Sequence, residues 1–545
     1  MQTAGMAPHF SGEFWLAPLA VVAQPAVRNM LIVGYGGGVI VEAVPPSVRS
    51  IDVIELEPQV IEANNASRSL RKRDPLLDSR LTLISNDARG ALALTTKRYD
   101  AIVSQPSHPW TAGASHLYTR EFMAEAREHL NADGIFVQWM NVAFVDEPLL
   151  RSLTATLLDV FSSVRLYRPD PSTLVFVAGS AASQIERRVA CSGAPLRLSA
   201  QHYSRYGIET LEDLIGALAV DEDGMRLLAA SAPLISDDNN RMANSSVFEW
   251  GRGLSPDAMG RVLAAYDPLQ RERSWVYRDY RSTLDFAYMA RRMGYFRGLD
   301  ASVLDRMARM QHLLGDTAQS AAIAVMLLEI HGEHDAARDL LRSATLRFPD
   351  NAALRYARLH EALEFDRPPA AEQAAMVQSL PPAAQATLRG LTLLSAGQFG
   401  ELAHLDAALA QARYSDPWFL ESNQLRAEWR ARIANPELRR RLGTEAIELL
   451  DRAALQLPSL QLYATRVRAG LTAEQPAVLL ESLASFVKYV GDDAVRASAE
   501  RRAAARVSTG EMLQLLESQA ALPGMDPGRV VEVRAQLRDL AQQLH

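Results

Sequence analysis

Four glycines, two acids and a histidine carry the chemistry this sequence can support. Gly34, Gly36, Gly37 and Gly38 follow the apolar run Leu31-Ile-Val33. Glycine tolerates positive φ and lets backbone approach a ligand closely, so the run reads as a buried strand entering a tight turn. Glu55 closes a second apolar run, Ile51-Asp-Val-Ile54, seventeen residues after Gly38. A carboxylate at that strand tip can accept both hydroxyls of a ribose, beside a glycine turn that cradles the rest of a nucleoside.

Asp87 stands in Ser85-Asn-Asp-Ala-Arg89 after a third apolar run. Its carboxylate can take the amino hydrogens of an adenine, or cap the helix that starts near Ala88. Ser104 opens Ser104-Gln-Pro-Ser-His-Pro-Trp-Thr-Ala-Gly113, a stiff turn after a fourth run. There His108 is the strong general-base candidate by intrinsic pKa, and its alternative is surface hydrogen bonding. Gln105 is placed to orient an acceptor, and Trp110 to wall a slot or simply pack. Asp237 and Asp238 offer negative charge to a cation, or form a solvated loop or helix cap. His331, His334 and His360 have no Cys or carboxylate spacing of metal type, so no metal is expected.

These residues need a scaffold that brings strand tips together. Strands are expected at 29–33, 51–55, 81–85, 100–104 and 135–139. Helical patterns lie between them, notably Glu57–Ser69 and Arg120–Leu130, and Asn131-Ala-Asp-Gly134 reads as a helix stop. Strand alternating with helix implies a parallel sheet with right-handed crossovers. Val164–Arg168 and Thr173–Val177 are then joined by Pro169-Asp-Pro-Ser172, too short for a crossover helix, so they must pair antiparallel. The expected fold is therefore an α/β sheet of the class I S-adenosylmethionine-dependent methyltransferase type. It is Rossmann-like, with seven strands and a terminal antiparallel hairpin. A dinucleotide-binding sheet would continue with a sixth parallel strand.

At 545 residues the chain is too long for one core. We expect an N-terminal helical lead-in over 1–28, the sheet over 29–180, closing helices and a loop over 181–255, and an α-helical region over 256–545. In that last region Ala344-x4-Pro349, Ala412-x4-Pro417 and Ala453-x4-Pro458 each end an amphipathic helix, with spacings of 68 and 41. Gly332 and Gly397 each precede a second helix. The first spacing is twice 34, and the pattern resembles degenerate tetratricopeptide repeats; an ordinary bundle is the alternative.

Composition excludes some classes. A net charge of −7 argues against a nucleic-acid or anionic-membrane surface. Only Lys72, Lys97 and Lys488 among the 57 basic residues are lysines, a bias expected from genome base composition. Cys191 is the sole cysteine, so no intrachain disulfide or cysteine metal cluster can form. Phe14–Ala23 is apolar but too short to span a bilayer and lacks a basic flank, so a helix on the sheet is expected there in preference to a signal peptide. Cytoplasmic location is expected, with peripheral membrane association through a partner as the extension.

Leu31–Gly38, Asp52-Val-Ile-Glu-Leu-Glu-Pro58, Asn86–Arg89, Tyr99–Gly113, Leu117-Tyr-Thr-Arg-Glu-Phe122 and Asp133-Gly-Ile-Phe-Val-Gln-Trp139 carry a resemblance. Over roughly 15–245 the sequence resembles the spermidine synthase (polyamine aminopropyltransferase) family. It is most similar to the bacterial branch in which such a domain follows a transporter-like domain. Ala232-Pro-Leu-Ile-Ser-Asp-Asp238 looks like that branch's closing segment. With 28 residues ahead of the first strand, the family's small amino-terminal β-domain is expected to be missing, as is the transporter-like half.

The resemblance implies decarboxylated S-adenosylmethionine as aminopropyl donor and an amine as acceptor. It implies nucleoside binding through Gly34, Gly36, Gly38, Glu55, Asp87 and Ser104. The family's Asp-Ser-Ser-Asp-Pro motif falls on Gln105-Pro-Ser-His-Pro109, so Gln105 and His108 stand where aspartates are expected. Gln cannot accept a proton; His108 can, but it cannot neutralise a diammonium substrate. Nucleoside binding therefore carries over better than aminopropyl transfer to putrescine. Two alternatives stand beside it. One is methyl transfer from S-adenosylmethionine, since Ser104-Gln-Pro-Ser107 loosely resembles the Asn-Pro-Pro-aromatic turn of amine-directed methyltransferases. The other is a catalytically lapsed nucleoside-binding domain whose helical repeats present a surface to a protein partner, such as a membrane protein.

Overall fold

The structure, a computed structural model, describes residues 12–66, 68, 74–109, 113–180, 202–203, 206–244, 253–297, 301–364, 375–413, 415–433, 435–454, 460–491, 499–518 and 525–544. Trp110 and Pro458, singled out above, lie outside the described residues. The chain divides into two compact units that meet in sequence between Glu333 and His334.

The first unit is built on a sheet of order β3-β2-β1-β4-β5-β7-β6-β8. Its strands are β1 (Asn29–Val33), β2 (Ser50–Glu55), β3 (Leu81–Ser85), β4 (Tyr99–Ser104), β5 (Leu130–Asn141), β6 (Ser163–Tyr167), β7 (Thr173–Gly179) and β8 (Leu218–Val220). The first five pair parallel; β7 inserts antiparallel between β5 and β6, as the short Pro169–Ser172 connection requires. This is the methyltransferase-like topology expected, with one more strand. Leu218–Val220 pairs antiparallel with β6. It is the three-residue tail of a segment that reads as helix, too short to show a period of its own.

Helices cover both faces. Along β1, Met30 and Ile32 enter one core while Leu31 and Val33 enter the other, the period of two that a strand imposes. α1 (Leu16–Ala23) is buried on every side and packs against β4, β5 and β7. α2 (Val39–Ala43) follows the glycine turn, α3 (Pro58–Ala66) follows β2, α4 (Ala88–Leu94) follows β3, α5 (Arg120–Glu128) precedes β5, and α6 (Glu147–Val160) follows it. Helices from Pro256 to Ile330 add Met259 and Leu263 to one core and Met289, Met293, Met307 and Met310 to the other.

Asn131–Gly134 is not a helix stop. α5 ends earlier, at Glu128, and the four residues form an irregularity within β5, between the pairs Tyr99↔Leu130 and Ala101↔Ile135. Asn131 donates to Asp100 Oδ1 across the gap. Hydrogen bonds from Arg28, Asn29 and Asn131 hold the Asp100 carboxyl below the usual range although burial pushes it up.

The second unit is all helix among its described residues. Phe419–Arg430, Pro436–Ala454, Leu460–Thr472 and Pro476–Val490 pack each on the next, the stacked hairpins of a tetratricopeptide-like scaffold. Small residues permit the approach: a Cβ on Gly443 would lie 2.5 Å from the Ala473 nitrogen. His334–Arg347 follows the Gly332 turn as expected. The turn at Gly397 instead leads into a 3-10 segment, Phe399–Leu405, and the short helix Asp406–Leu409. No helix among the described residues is long and apolar enough to cross a membrane.

Candidate functional site

The carboxyl ends of β1, β2 and β4 lie side by side, with Val33 paired to Ile54 on one side and Ser104 on the other. Connections at this edge are where ligands bind open α/β sheets. Gly34 has φ +91, and a Cβ there would lie 2.5 Å from the Gln105 carbonyl oxygen. Its close approach is therefore to the strand-four turn of the protein itself. Gly36 has φ +52 and nothing within 4 Å of a Cβ position, so its backbone faces open space. Gly38, at φ +75, precedes α2 and returns its N–H to Tyr35 O at 2.8 Å.

Glu55 is tied into that turn. Its Oε2 accepts hydrogen bonds from Tyr35 N at 2.9 Å and Gly36 N at 3.4 Å, and its Oε1 from Glu57 N at 3.0 Å. A carboxylate has about four lone-pair sites, so three N–H donors leave room for a hydroxyl. Buried Asn64 of α3 completes the support, donating to Gly36 O at 2.8 Å. None of these backbone roles can be seen in a strand-tip pattern.

Asp87 caps α4, its Oδ2 accepting from Gly90 N at 2.9 Å. Asn86 N donates to Glu55 O at 3.3 Å, so the tips of β2 and β3 are joined. The capping alternative is thus realised, on an exposed side chain.

Ser104 is fully buried beneath the strand-four turn, paired in register with Gln138 on β5. The Ser104 hydroxyl and the Gln138 amide oxygen find no partner among the described residues. The sequence marks Gln138 as a site candidate only through its being one polar residue inside the apolar run 135–140. Gln105 is half-buried, and its N–H donates to Val33 O at 3.0 Å. His108 is exposed, with its ring 5.0 Å from that of Phe144; Phe144 meets Trp139 edge-on at 5.9 Å.

The segment 232–240 closes back on this edge. Asp237 accepts from Arg89 Nη1 at 2.9 Å and Thr119 Oγ1 at 2.8 Å, with His116 Nδ1 at 3.4 Å. Burial pushes the Asp237 carboxyl up, but the bonds from Thr119, Arg89 and His116 outweigh it and hold the pKa below the usual carboxylate range. Its charge is matched by Arg89, while Asp238 is exposed. Asn240 Nδ2 reaches Ser115 Oγ at 3.0 Å, and Arg120 N donates to Ile235 O at 2.8 Å. Among the described residues no group of three or more His, Cys, Asp or Glu is placed to hold a metal ion.

Residues 13–169 match the spermine/spermidine synthase domain family. A polyamine aminopropyltransferase of Buchnera aphidicola subsp. Acyrthosiphon pisum is 26% identical over 160 residues, 29% of this chain and 56% of that protein. One from Methanocaldococcus jannaschii is 31% identical over 147 residues, 26% of this chain and 49% of that protein. The chain spans about half the length of these relatives. The crystal structure of spermidine synthase from Thermotoga maritima aligns with 40% of this chain and 74% of that one, at 18% identity and a TM-score of 0.31.

Proposed function

We propose that this chain, whose residues 13–169 carry a spermidine synthase-like domain, binds an adenosyl-sulfonium donor at the Gly34–Gly38 turn and transfers its aminopropyl group to an amine. The observation that carries the reading is the pairing of the open Gly36 backbone with Glu55 at one strand edge. A ribose set there would place its hydroxyls on the remaining lone pairs of Glu55, with adenine toward Asp87.

Decarboxylated S-adenosylmethionine is the donor proposed. The neutral amine nitrogen attacks the methylene carbon bonded to sulfur. The C–N bond forms as the C–S bond breaks, and the electron pair stays on sulfur, leaving neutral methylthioadenosine. The proton released from nitrogen passes to the His108 imidazole and on to solvent, to which His108 is exposed. Gln105 holds the acceptor at the same turn. The helical second unit, in this reading, offers its surface to a protein partner.

The test incubates full-length protein with decarboxylated donor and a panel of amines and follows methylthioadenosine release. Release above the blank is expected; none for any acceptor sinks the transfer. Calorimetry with S-adenosylmethionine and its decarboxylated form separates the methyl-transfer alternative, which requires preference for the carboxylated molecule. Tight methylthioadenosine binding without release in any pairing is what a lapsed domain gives.

A further inference from the structure

We propose that the acceptor is a monoamine bearing an aromatic or apolar group and not a diammonium chain; this rests on the aminopropyl-transfer reading above. Two turns flank the acceptor side of the sheet edge, residues 105–109 after β4 and 141–145 after β5. The first contains no Asp or Glu, and the second is followed at once by Asp146, whose Oδ1 is engaged in capping α6, accepting from Leu149 N at 2.8 Å. The side chains that meet there are aromatic: His108 against Phe144 at 5.0 Å, and Phe144 against Trp139 at 5.9 Å.

The Phe144 turn is fixed in place. Asn141 Oδ1 accepts from Ala143 N at 2.9 Å, and Leu254 N donates to Val145 O at 3.1 Å. Gly253 packs so tightly on this turn that a Cβ would fall 1.9 Å from the Ala143 carbonyl oxygen. A half-buried ring held by a rigid turn is a ready surface for stacking. From the closing segment, Asp237 brings a carboxylate already matched by Arg89 at 2.9 Å.

Charge decides between acceptor classes. The attacking nitrogen must be neutral, but a diamine keeps its second, distal ammonium. Against this aromatic wall that ammonium gives up water, while Asp146 is engaged in capping α6, Asp237 is matched by Arg89, and Asp238 on the closing segment is exposed. A monoamine with an aryl group brings no second charge and stacks on Phe144. Bond-making is the same as above: the amine displaces the thioether from carbon, and its surplus proton leaves through His108.

The experiment uses the full chain. Methylthioadenosine binding is measured first by calorimetry. Release of methylthioadenosine from decarboxylated S-adenosylmethionine is then compared with phenethylamine and with putrescine. Phenethylamine is expected to give the higher kcat/KM. Phe144→Ala should lower that value by up to about tenfold, through KM, without changing methylthioadenosine affinity. Should that variant fold poorly, Gln105→Asp serves instead and should move preference toward putrescine. Binding of methylthioadenosine with putrescine equal or preferred overturns the acceptor inference and leaves the donor reading standing. Absence of methylthioadenosine binding overturns both.

Discussion

Glu55 Oε2 lies 2.9 Å from the backbone nitrogen of Tyr35, so the acid that ends β2 holds the turn that ends β1. One carboxylate thus shapes the glycine turn and, in the proposed reading, also receives the ribose. Glu55→Gln keeps the size of the side chain, removes its charge and turns one accepting oxygen into a donor, so with its oxygen on Tyr35 and Gly36 the bond from Glu57 N is lost. Its bonds to the Tyr35 and Gly36 N–H groups fall from charge-assisted to neutral, a loss of about 1 kcal/mol. Hydrogen exchange at those two amides should quicken, and methylthioadenosine affinity should drop about tenfold or more. Unchanged affinity beside quickened exchange removes the ribose role and leaves the structural one.

Gly34 and Gly36 differ in what surrounds them, and substitution should expose the difference. Both have positive φ, so alanine at either costs about 1–2 kcal/mol in backbone strain. Gly34→Ala adds a Cβ 2.5 Å from the Gln105 carbonyl oxygen, whereas Gly36→Ala meets nothing within 4 Å. Urea unfolding should find Gly34→Ala the worse by at least about 1 kcal/mol. Gly36→Ala should show the larger relative loss of nucleoside binding, because its backbone faces the open side. Equal stability losses would contradict the close packing of the two turns.

The inner parallel strands are legible because both their faces are covered, which leaves uninterrupted apolar runs such as Met30–Val33 and Ala101–Val103, whereas the edge strand β3 is largely exposed. The short Pro169–Ser172 link gave the antiparallel hairpin by length alone. What stayed hidden depends on pairing across distance. Leu218–Val220 becomes a strand only because β6 offers an edge. Asn131–Gly134 is absorbed into β5 because pairing resumes at Ile135. At the site, strand tips brought Gly34, Glu55 and Ser104 together as the pattern implied. Arg89 and Asp237 are 148 residues apart, and no local spacing announces their bond. Phe144 likewise shows its place only through the rings it meets.

Glu474 holds a left-handed conformation, φ +55, at the end of the helix Leu460–Thr472. Gln475 N closes the helix by bonding to Gly470 O at 2.9 Å. The same closure follows Gly332, where Glu333 N bonds to Leu328 O, and Gly397, where Gln398 N bonds to Leu393 O. Glycine fits that position without strain. Glu474→Gly should therefore raise the melting temperature of the helical unit by about 2 °C, while losing an exposed contact with Arg440 that contributes little. A lower Tm would mean that the Arg440 contact outweighs the backbone strain.

Asp237 and Arg89 latch the closing segment onto α4, and the latch is sensitive to acid. The Asp237 carboxyl sits below the usual range in the folded protein, because bonds from Thr119, Arg89 and His116 outweigh the upward push of burial. A depressed carboxylate pKa contributes stability that is present above the unfolded value, about 3.9, and is lost as pH falls through the folded one. Asp237→Asn removes this contribution. The half-exposed pair makes the expected loss modest, about 1 kcal/mol at neutral pH. Urea midpoints for wild type and variant should differ by a constant amount above about pH 5 and converge toward pH 3. Glu125, whose carboxyl burial pushes up despite the nearby Arg89, shares that guanidinium with Asp237, so the comparison is made in a Glu125→Gln background to isolate Asp237. A difference that persists unchanged at pH 3 would place the stabilisation in neutral hydrogen bonds, with no part for the charge.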